Sequence, residues 1–147
     1  MSEPTVASHI EQAIRGYIQA CNEGDPTSIA ACFCSDAVHY FPGAPKWSGA
    51  STIGDNFGRR VKEFGQLWTV DEVVIDAGRH AGVLEWTRFD KTGRVLRGVD
   101  WFVFEVGTFR IQEVRPYAAA PIHPDLGRQE LQDFDYAGRG YPMTRPN

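Results

Sequence analysis

The 147-residue sequence has no apolar run of the roughly 18 residues that a membrane span requires. Its longest apolar stretch, Val99–Val106, is interrupted by Asp100 and Glu105. The N-terminus, Met1-Ser2-Glu3-Pro4-Thr5-Val6, lacks the basic-then-apolar order of a secretory signal, so a cytoplasmic setting is expected. Only three cysteines occur, an odd number that fits reduced thiols and not a disulfide framework. Cys21, Cys32 and Cys34 lack the paired spacing and fourth ligand of a zinc site, and are expected to pack as small hydrophobes. No His-Glu-x-x-His, Gly-x-Ser-x-Gly or phosphate-cradling glycine loop is present, so metalloprotease, serine-hydrolase and nucleotide-binding readings have no motif behind them. No metal and no cofactor is implied. Strong positive charge is missing too. With 15 Lys+Arg against 19 Asp+Glu the net charge is −4, which argues against a nucleic-acid partner bound by phosphate neutralisation.

Aromatic residues, by contrast, are plentiful: four Trp, five Tyr and nine Phe make up 12% of a chain short enough for one domain. Their placement follows from periodicity. Val6, Ile10, Ala13, Ile14, Tyr17, Ile18 and Cys21 recur at helical spacing, with Thr5 or Ser8 as the cap and Gly24 as a left-handed stop. Asp25-Pro26 opens a second, short helix expected to run through Phe33. Ala37–Phe41 reads as a strand cut off by Pro42-Gly43-Ala44-Pro45. A third helix carries Ile53, Phe57, Val61 and Phe64, and Gly54 and Gly58 one turn apart invite a close neighbour. Four long strands are then predicted over Leu67–Asp76, Ala81–Asp90, Arg94–Glu105 and Thr108–Tyr117, joined by short turns. The last thirty residues contain four prolines and one helical candidate, Leu126–Phe134. This order describes an α+β domain over residues 1–117 with a C-terminal extension, 118–147, acting as a lid or a dimer arm through residues such as Asp133, Asp135, Tyr136 and Tyr141.

The run Tyr17-Ile18-Gln19-Ala20-Cys21-Asn22-Glu23-Gly24-Asp25, with Ile29, Phe33 and Ser35-Asp36-Ala37-Val38, resembles the opening of the nuclear-transport-factor-2-like superfamily. Trp47-Ser48-Gly49 before Ile53 and Phe57 is similar to its third helix. Val99-Asp100-Trp101-Phe102-Val103-Phe104 with Arg110-Ile111 is similar to its last hairpin. The resemblance covers about Ile10–Tyr117 and points to the SnoaL-like and ketosteroid-isomerase-like branch. It implies a cone-shaped fold, a curved and mostly antiparallel sheet wrapped around three N-terminal helices. It also implies a homodimer through the outer sheet face, where Trp101 would lie. Because the superfamily holds isomerases, cyclases, dehydratases, an epoxide hydrolase and non-catalytic modules, fold alone does not settle function.

Position by position, the resemblance sets Tyr17 where ketosteroid isomerase has its oxyanion-hole tyrosine. Asp100 falls on that enzyme's hydrogen-bonding aspartic acid and on the acid/base aspartate of SnoaL-like cyclases. The isomerase's base position holds Phe41, a departure from steroid-type isomerisation, and Pro116 replaces a hydrolase aspartate. Strand parity supplies an independent reading: an inward Asp100 brings Gly98, Phe102 and Phe104 inward and turns Val99, Trp101 and Val103 away, while His39 shares a face with Phe41.

The candidate catalytic residues are therefore Asp100, His39 and Tyr17, with His39 as base, Asp100 orienting it or donating a proton, and Tyr17 stabilising an oxyanion. Phe41, Phe57, Glu85, Phe102, Val114 and Trp68 are expected to bind substrate. Bland readings stand beside these: Asp100 in an ion pair with Arg115 or Arg88, His39 as a satisfied structural histidine, Tyr17 as core. His80 could reach a pocket mouth; His9 and His123 are expected at the surface or in the tail.

The expected activity is cofactor-independent isomerase, dehydratase, cyclase or lyase chemistry through an enol or enolate, on a small hydrophobic molecule, aromatic or polyketide-like. Two alternatives are a non-catalytic binding or association module and an epoxide-type hydrolase using Glu85.

Overall fold

The computed structural model describes residues 3–119 and 125–147; His123 lies outside them. Helix α1 (Val6–Glu23) starts at Thr5, whose hydroxyl accepts from the Ser8 amide at 3.0 Å, and stops at Gly24 in the left-handed conformation. Helix α2 (Pro26–Ala31) is capped by Asp25, which accepts from the Thr27 amide and the Ser28 hydroxyl. It is shorter than expected, because the chain is already extended at Phe33. Helix α3 (Ala50–Phe64) packs on α2 through its two glycines. A Cβ at Gly54 would lie 2.4 Å from the Pro26 carbonyl oxygen and one at Gly58 would lie 2.7 Å from the Pro26 ring, so only hydrogen fits there.

The strands are β1 (Phe33–Phe41), β2 (Ala44–Ser48), β3 (Leu67–Asp76), β4 (Ala81–Phe89), β5 (Val95–Phe104), β6 (Ile111–Ala118) and the two-residue β7 (Arg128–Gln129). Six of them run in the order β2-β1-β6-β5-β4-β3, antiparallel except where β1 runs parallel to β6, and β7 pairs in parallel with β5 off this path. Together with the three helices this is the α+β fold expected, its curved sheet wrapped around α1. Asn22 ties that helix to the sheet: its amide donates to the Trp68 carbonyl and accepts from the Trp68 amide, both at 2.8 Å.

Three local expectations are corrected. Ala44–Ser48 is an edge strand and not a turn, since Pro45 needs no ladder donor on an exposed edge. The last long strand begins at Ile111, because Phe109 sits at φ 58 in a turn that Glu105 closes by accepting from Thr108. The helical candidate Leu126–Phe134 is instead β7 followed by turns, with Arg128 and Gln129 pairing in parallel with Val95 and Leu96 of β5. Beyond Ala118, where β6 ends, β7 takes over its place beside β5.

The tail from residue 125 onward lies on the outer face of the sheet. Glu130 binds Arg97 at 2.9 Å, the Pro142 carbonyl accepts from the same guanidinium at 3.0 Å, and Tyr136 lies under it at 4.0 Å. Arg145 donates to the carbonyls of Gly65 and Asp90. Above this clasp the outer face keeps Val74 and Tyr117 exposed, and Trp101 half-buried beneath the Arg115 guanidinium.

Candidate active site

A cavity of about 450 Å³ opens between the helices and the inner face of the sheet. Tyr17 and Cys21 of α1 and Phe57 and Arg60 of α3 form one wall. His39 and Phe41 of β1 with Trp47 of β2 form a second. Trp68, Trp86, Arg88 and Asp100 come from the β3–β4–β5 ladder, and buried Gln66 precedes β3. The site is predominantly aromatic with a few convergent polar groups, as small-molecule sites usually are.

Asp100 is 7% exposed and, among the described residues, receives one side-chain hydrogen bond, from Trp86 Nε1 at 2.9 Å. Neither Arg88 nor Arg115 pairs with it; Arg115 faces outward and binds Glu113 at 3.3 Å. Burial, only partly offset by the indole donor, lifts the Asp100 pKa to about 7. The arrangement depends on Gly98, directly opposite Trp86 across the ladder. A Cβ there would lie 2.4 Å from Cζ2 and 2.6 Å from Cη2 of the indole, so the ring can lie across β5 and reach Asp100 only over glycine.

His39 is 3% exposed, stacked on Phe41 at 4.4 Å and edge-on to Phe57 at 5.0 Å. Its Nδ1 lies 2.8 Å from the Tyr40 carbonyl, which can only accept, so Nδ1 carries the proton and Nε2 is the free acceptor. Burial and the nearby Arg60 charge outweigh that hydrogen bond and push the pKa down to about 4. His39 is thus a neutral imidazole at physiological pH.

Tyr17 packs its ring edge against Phe33, Phe57 and Phe102, and its pKa is driven well above the ordinary phenol value by burial, then by Cys21 and Asp100. It remains an O–H donor. Burial holds the Cys21 thiol protonated as well, which leaves it a poor nucleophile.

The structure brings Asp100, His39 and Tyr17 to one cavity together with Phe41, Phe57 and Trp68. No hydrogen bond joins the three polar groups to one another among the described residues, so Asp100 does not orient the His39 ring. Phe102 and Val114 are fully buried and lie beneath the cavity without lining it. Glu85 is on the opposite face, opposite Val99 and Glu72, and accepts a hydrogen bond from Tyr141. His80 stacks on Phe109, which also stacks on His9, away from the cavity. Sequence reasoning missed Trp47, Arg60, Gln66 and Arg88, and did not assign Trp86 to the site. Arg88 shares strand parity with Trp86, and Arg60 follows Phe57 by three residues on a helix, so both signals were there to be read.

Among the described residues no group of three His, Cys, Asp or Glu converges as a metal site requires. No helix there is long and apolar enough to cross a membrane.

A helix-backed cavity in a curved sheet, with a buried aspartate among aromatic rings, defines the class of small α+β pocket proteins. Within it, the sequence profile of the SnoaL-like domain matches residues 14–114, and the chain belongs to that family. It is similar over nearly its whole length to a protein of unknown function with a cystatin-like fold from Methylobium petroleophilum PM1: 38% identity, 99% of this chain and 98% of that one, TM-score 0.76. Two more distant structures share the fold. One is the epoxide hydrolase/cyclase-like enzyme SalBIII, described in pyran ring formation in polyether salinomycin, with 16% identity over 75% of this chain and 90% of that one and TM-score 0.64. The other is a nuclear-transport-factor-2-like protein of unknown function from Cytophaga hutchinsonii, with 10% identity, coverage of 80% and 92%, and TM-score 0.60. A search of curated proteins returned no match.

Proposed function

We propose that this protein is a cofactor-independent enzyme in which Asp100 moves a proton on a hydrophobic substrate through an enol or enolate. The observation that carries the reading is the buried Asp100 carboxyl with a single indole donor, facing an open cavity and titrating near neutrality. A base is most effective when its pKa lies near the working pH, and this carboxyl is placed there by burial. In its ionised form Asp100 accepts a proton from the carbon next to a substrate carbonyl. The electron pair left behind moves onto the carbonyl oxygen, to which the Tyr17 O–H donates by turning from its hydrogen bond with Cys21. Returning the proton at another carbon gives isomerisation; expelling a leaving group from the enolate gives elimination. The same base acting on a substrate hydroxyl supports ring closure, which the cyclase-like description of SalBIII makes a natural variant.

These assignments give Asp100 the role of base expected of His39. The neutral His39, with Nε2 free, accepts a hydrogen bond from a substrate hydroxyl or a water; its pKa of about 4 makes it a weak base. A hydrolytic reading that depends on Glu85 finds that residue outside the cavity.

The test is proton exchange. With 2-tetralone in deuterium oxide, the protein should accelerate α-deuteration, and Asp100→Asn should slow it by about 10²–10⁴-fold while the circular dichroism is unchanged. The rate should rise through about pH 7 as Asp100 ionises, with no second inflection from His39. Equal rates in parent and Asp100→Asn would favour a binding module over an enzyme.

A further inference from the structure

Two guanidinium groups, Arg60 of α3 and Arg88 of β4, line the predominantly aromatic cavity, and among the described residues neither is paired with a carboxylate. Other arginines of the chain find partners: Arg97 binds Glu130, Arg115 binds Glu113 and Arg79 binds Asp76. The acid nearest in sequence to Arg88, Asp90, is taken up by its own turn, accepting from the Thr92 amide and hydroxyl and from the Arg94 amide. Arg60 is held above the Trp47 ring at 5.9 Å, a contact that orients the guanidinium without neutralising it. The two cations feel each other as well. Burial and then the Arg60 charge depress the pKa of Arg88, against a smaller opposing influence of the Asp90 charge. Two like charges facing a low-dielectric cavity, with Asp90 only a smaller opposing charge on Arg88, are unfavourable, and an anion seated between them relieves both costs.

We propose that Arg60 and Arg88 form a clamp for a carboxylate, so that the substrate is an apolar acid whose anionic end is held at this pair and whose body lies among the aromatic rings. The proposal rests on reading this cavity as the substrate site. The ladder sets the distance: Leu84 lies opposite Asp100 and Arg88 opposite Leu96, four residues further along β4, or about 13 Å of strand. Trp86 lies between them on β4, Trp68 of β3 is level with Arg88, and Phe57 of α3 completes the lining. A carboxylate at the clamp therefore presents the far end of a ligand about the length of a bicyclic aromatic acid to Asp100. Repulsion between the ligand carboxylate and ionised Asp100 disfavours the reversed orientation, so the clamp fixes polarity as well as affinity. A carboxylate suits the site better than a phosphate. A guanidinium pairs with either, but the cavity offers no Lys beside the two arginines to answer a third oxygen and a second charge.

Calorimetric titration with 2-naphthylacetate, its neutral amide and 2-naphthyl phosphate tests this without requiring turnover. The acid should bind about tenfold or more tightly than the amide. Arg88→Met and Arg60→Met should each weaken the acid about tenfold and leave the amide within about twofold. Arg115→Met, on the outer face, should change neither. Two variants are used because Arg88 is the more enclosed; if it fails to fold, Arg60 decides. Equal affinity for acid and amide, no binding of the acid at millimolar concentration, tighter binding of the phosphate, or a preference that survives at Arg60→Met overturns the proposal. Acid-selective binding by a protein whose deuteration rate ignores Asp100→Asn would remove the proton-transfer reading and keep the clamp. Charge-blind binding with Asp100-dependent exchange would do the reverse.

Discussion

On the outer face of β5, buried Arg97 is met by Glu130, by the Thr87 hydroxyl, by the Pro142 carbonyl and by the Tyr136 ring. On the inner face of the same strand, three residues on, buried Asp100 is met by one indole. Both are charged residues taken out of water, and the protein treats them in opposite ways. Arg97 is saturated by a tail that crosses the sheet for the purpose, while Asp100 keeps acceptor capacity facing a cavity. A buried charge that exists to hold structure is satisfied by its own chain; one left short of partners is available to something that arrives from outside.

This contrast can be broken from either side. The largest effect is expected at Arg97. Arg97→Met should lower stability by about 3–5 kcal/mol in urea titrations, because the groups gathered around it lose their centre, while naphthylacetate binding persists. A loss of binding with unchanged stability would mean that the outer network serves the site and not the fold. On the inner face the signature is pH. The Asp100 pKa, ordinarily 3.8, is about 7 in the folded chain. Between those values the native state holds a proton that the unfolded state has released, so stability should fall as pH rises through this window and level off above it. The total is at most on the order of 4 kcal/mol, and Asp100→Asn should flatten the slope. Identical slopes in parent and variant would place the titrating group elsewhere. The smallest effect belongs to Gly98→Ala, which should cost about 1–3 kcal/mol by crowding the Trp86 ring. Because the indole hydrogen bond lowers the Asp100 pKa, its loss should also move the deuteration midpoint to higher pH. An unmoved midpoint would show that the ring keeps its donor despite the added methyl.

Much of this was legible in the sequence. The boundaries of β3 followed from alternation and turn residues, and those of α1 from its caps. The inward set Gly98, Asp100, Phe102 and Phe104 followed from parity on one strand. What parity could not supply was depth: Phe102 shares a face with Asp100 yet is fully buried and does not line the cavity, because the Tyr17 ring of α1 packs against it. Glu85 failed for a different reason. Its face is set by the register of β4 against β5, a long-range property, and that register pairs it with Val99 on the outside. The tail misled most. Leu126–Phe134 has helical spacing, but the open edge of β5 beyond Ala118 offers Arg128 and Gln129 a ladder, and tertiary pairing overrode local preference. Arg60 and Arg88 carried no motif; the proposed clamp rests on the absence of partner carboxylates among the described residues, which only the structure can supply.

The parallel pairing of β1 with β6 has a kinetic consequence. It joins Phe33 to Ile111 and His39 to Val114, contacts far apart in the chain and slow to close. The helices and the β3–β4–β5 meander can assemble from near neighbours, but the wall carrying His39 and Phe41 is docked only when that seam zips up. A partly folded molecule therefore lacks a closed cavity, and recovery of ligand binding after denaturation should coincide with the slowest phase of refolding and not precede it.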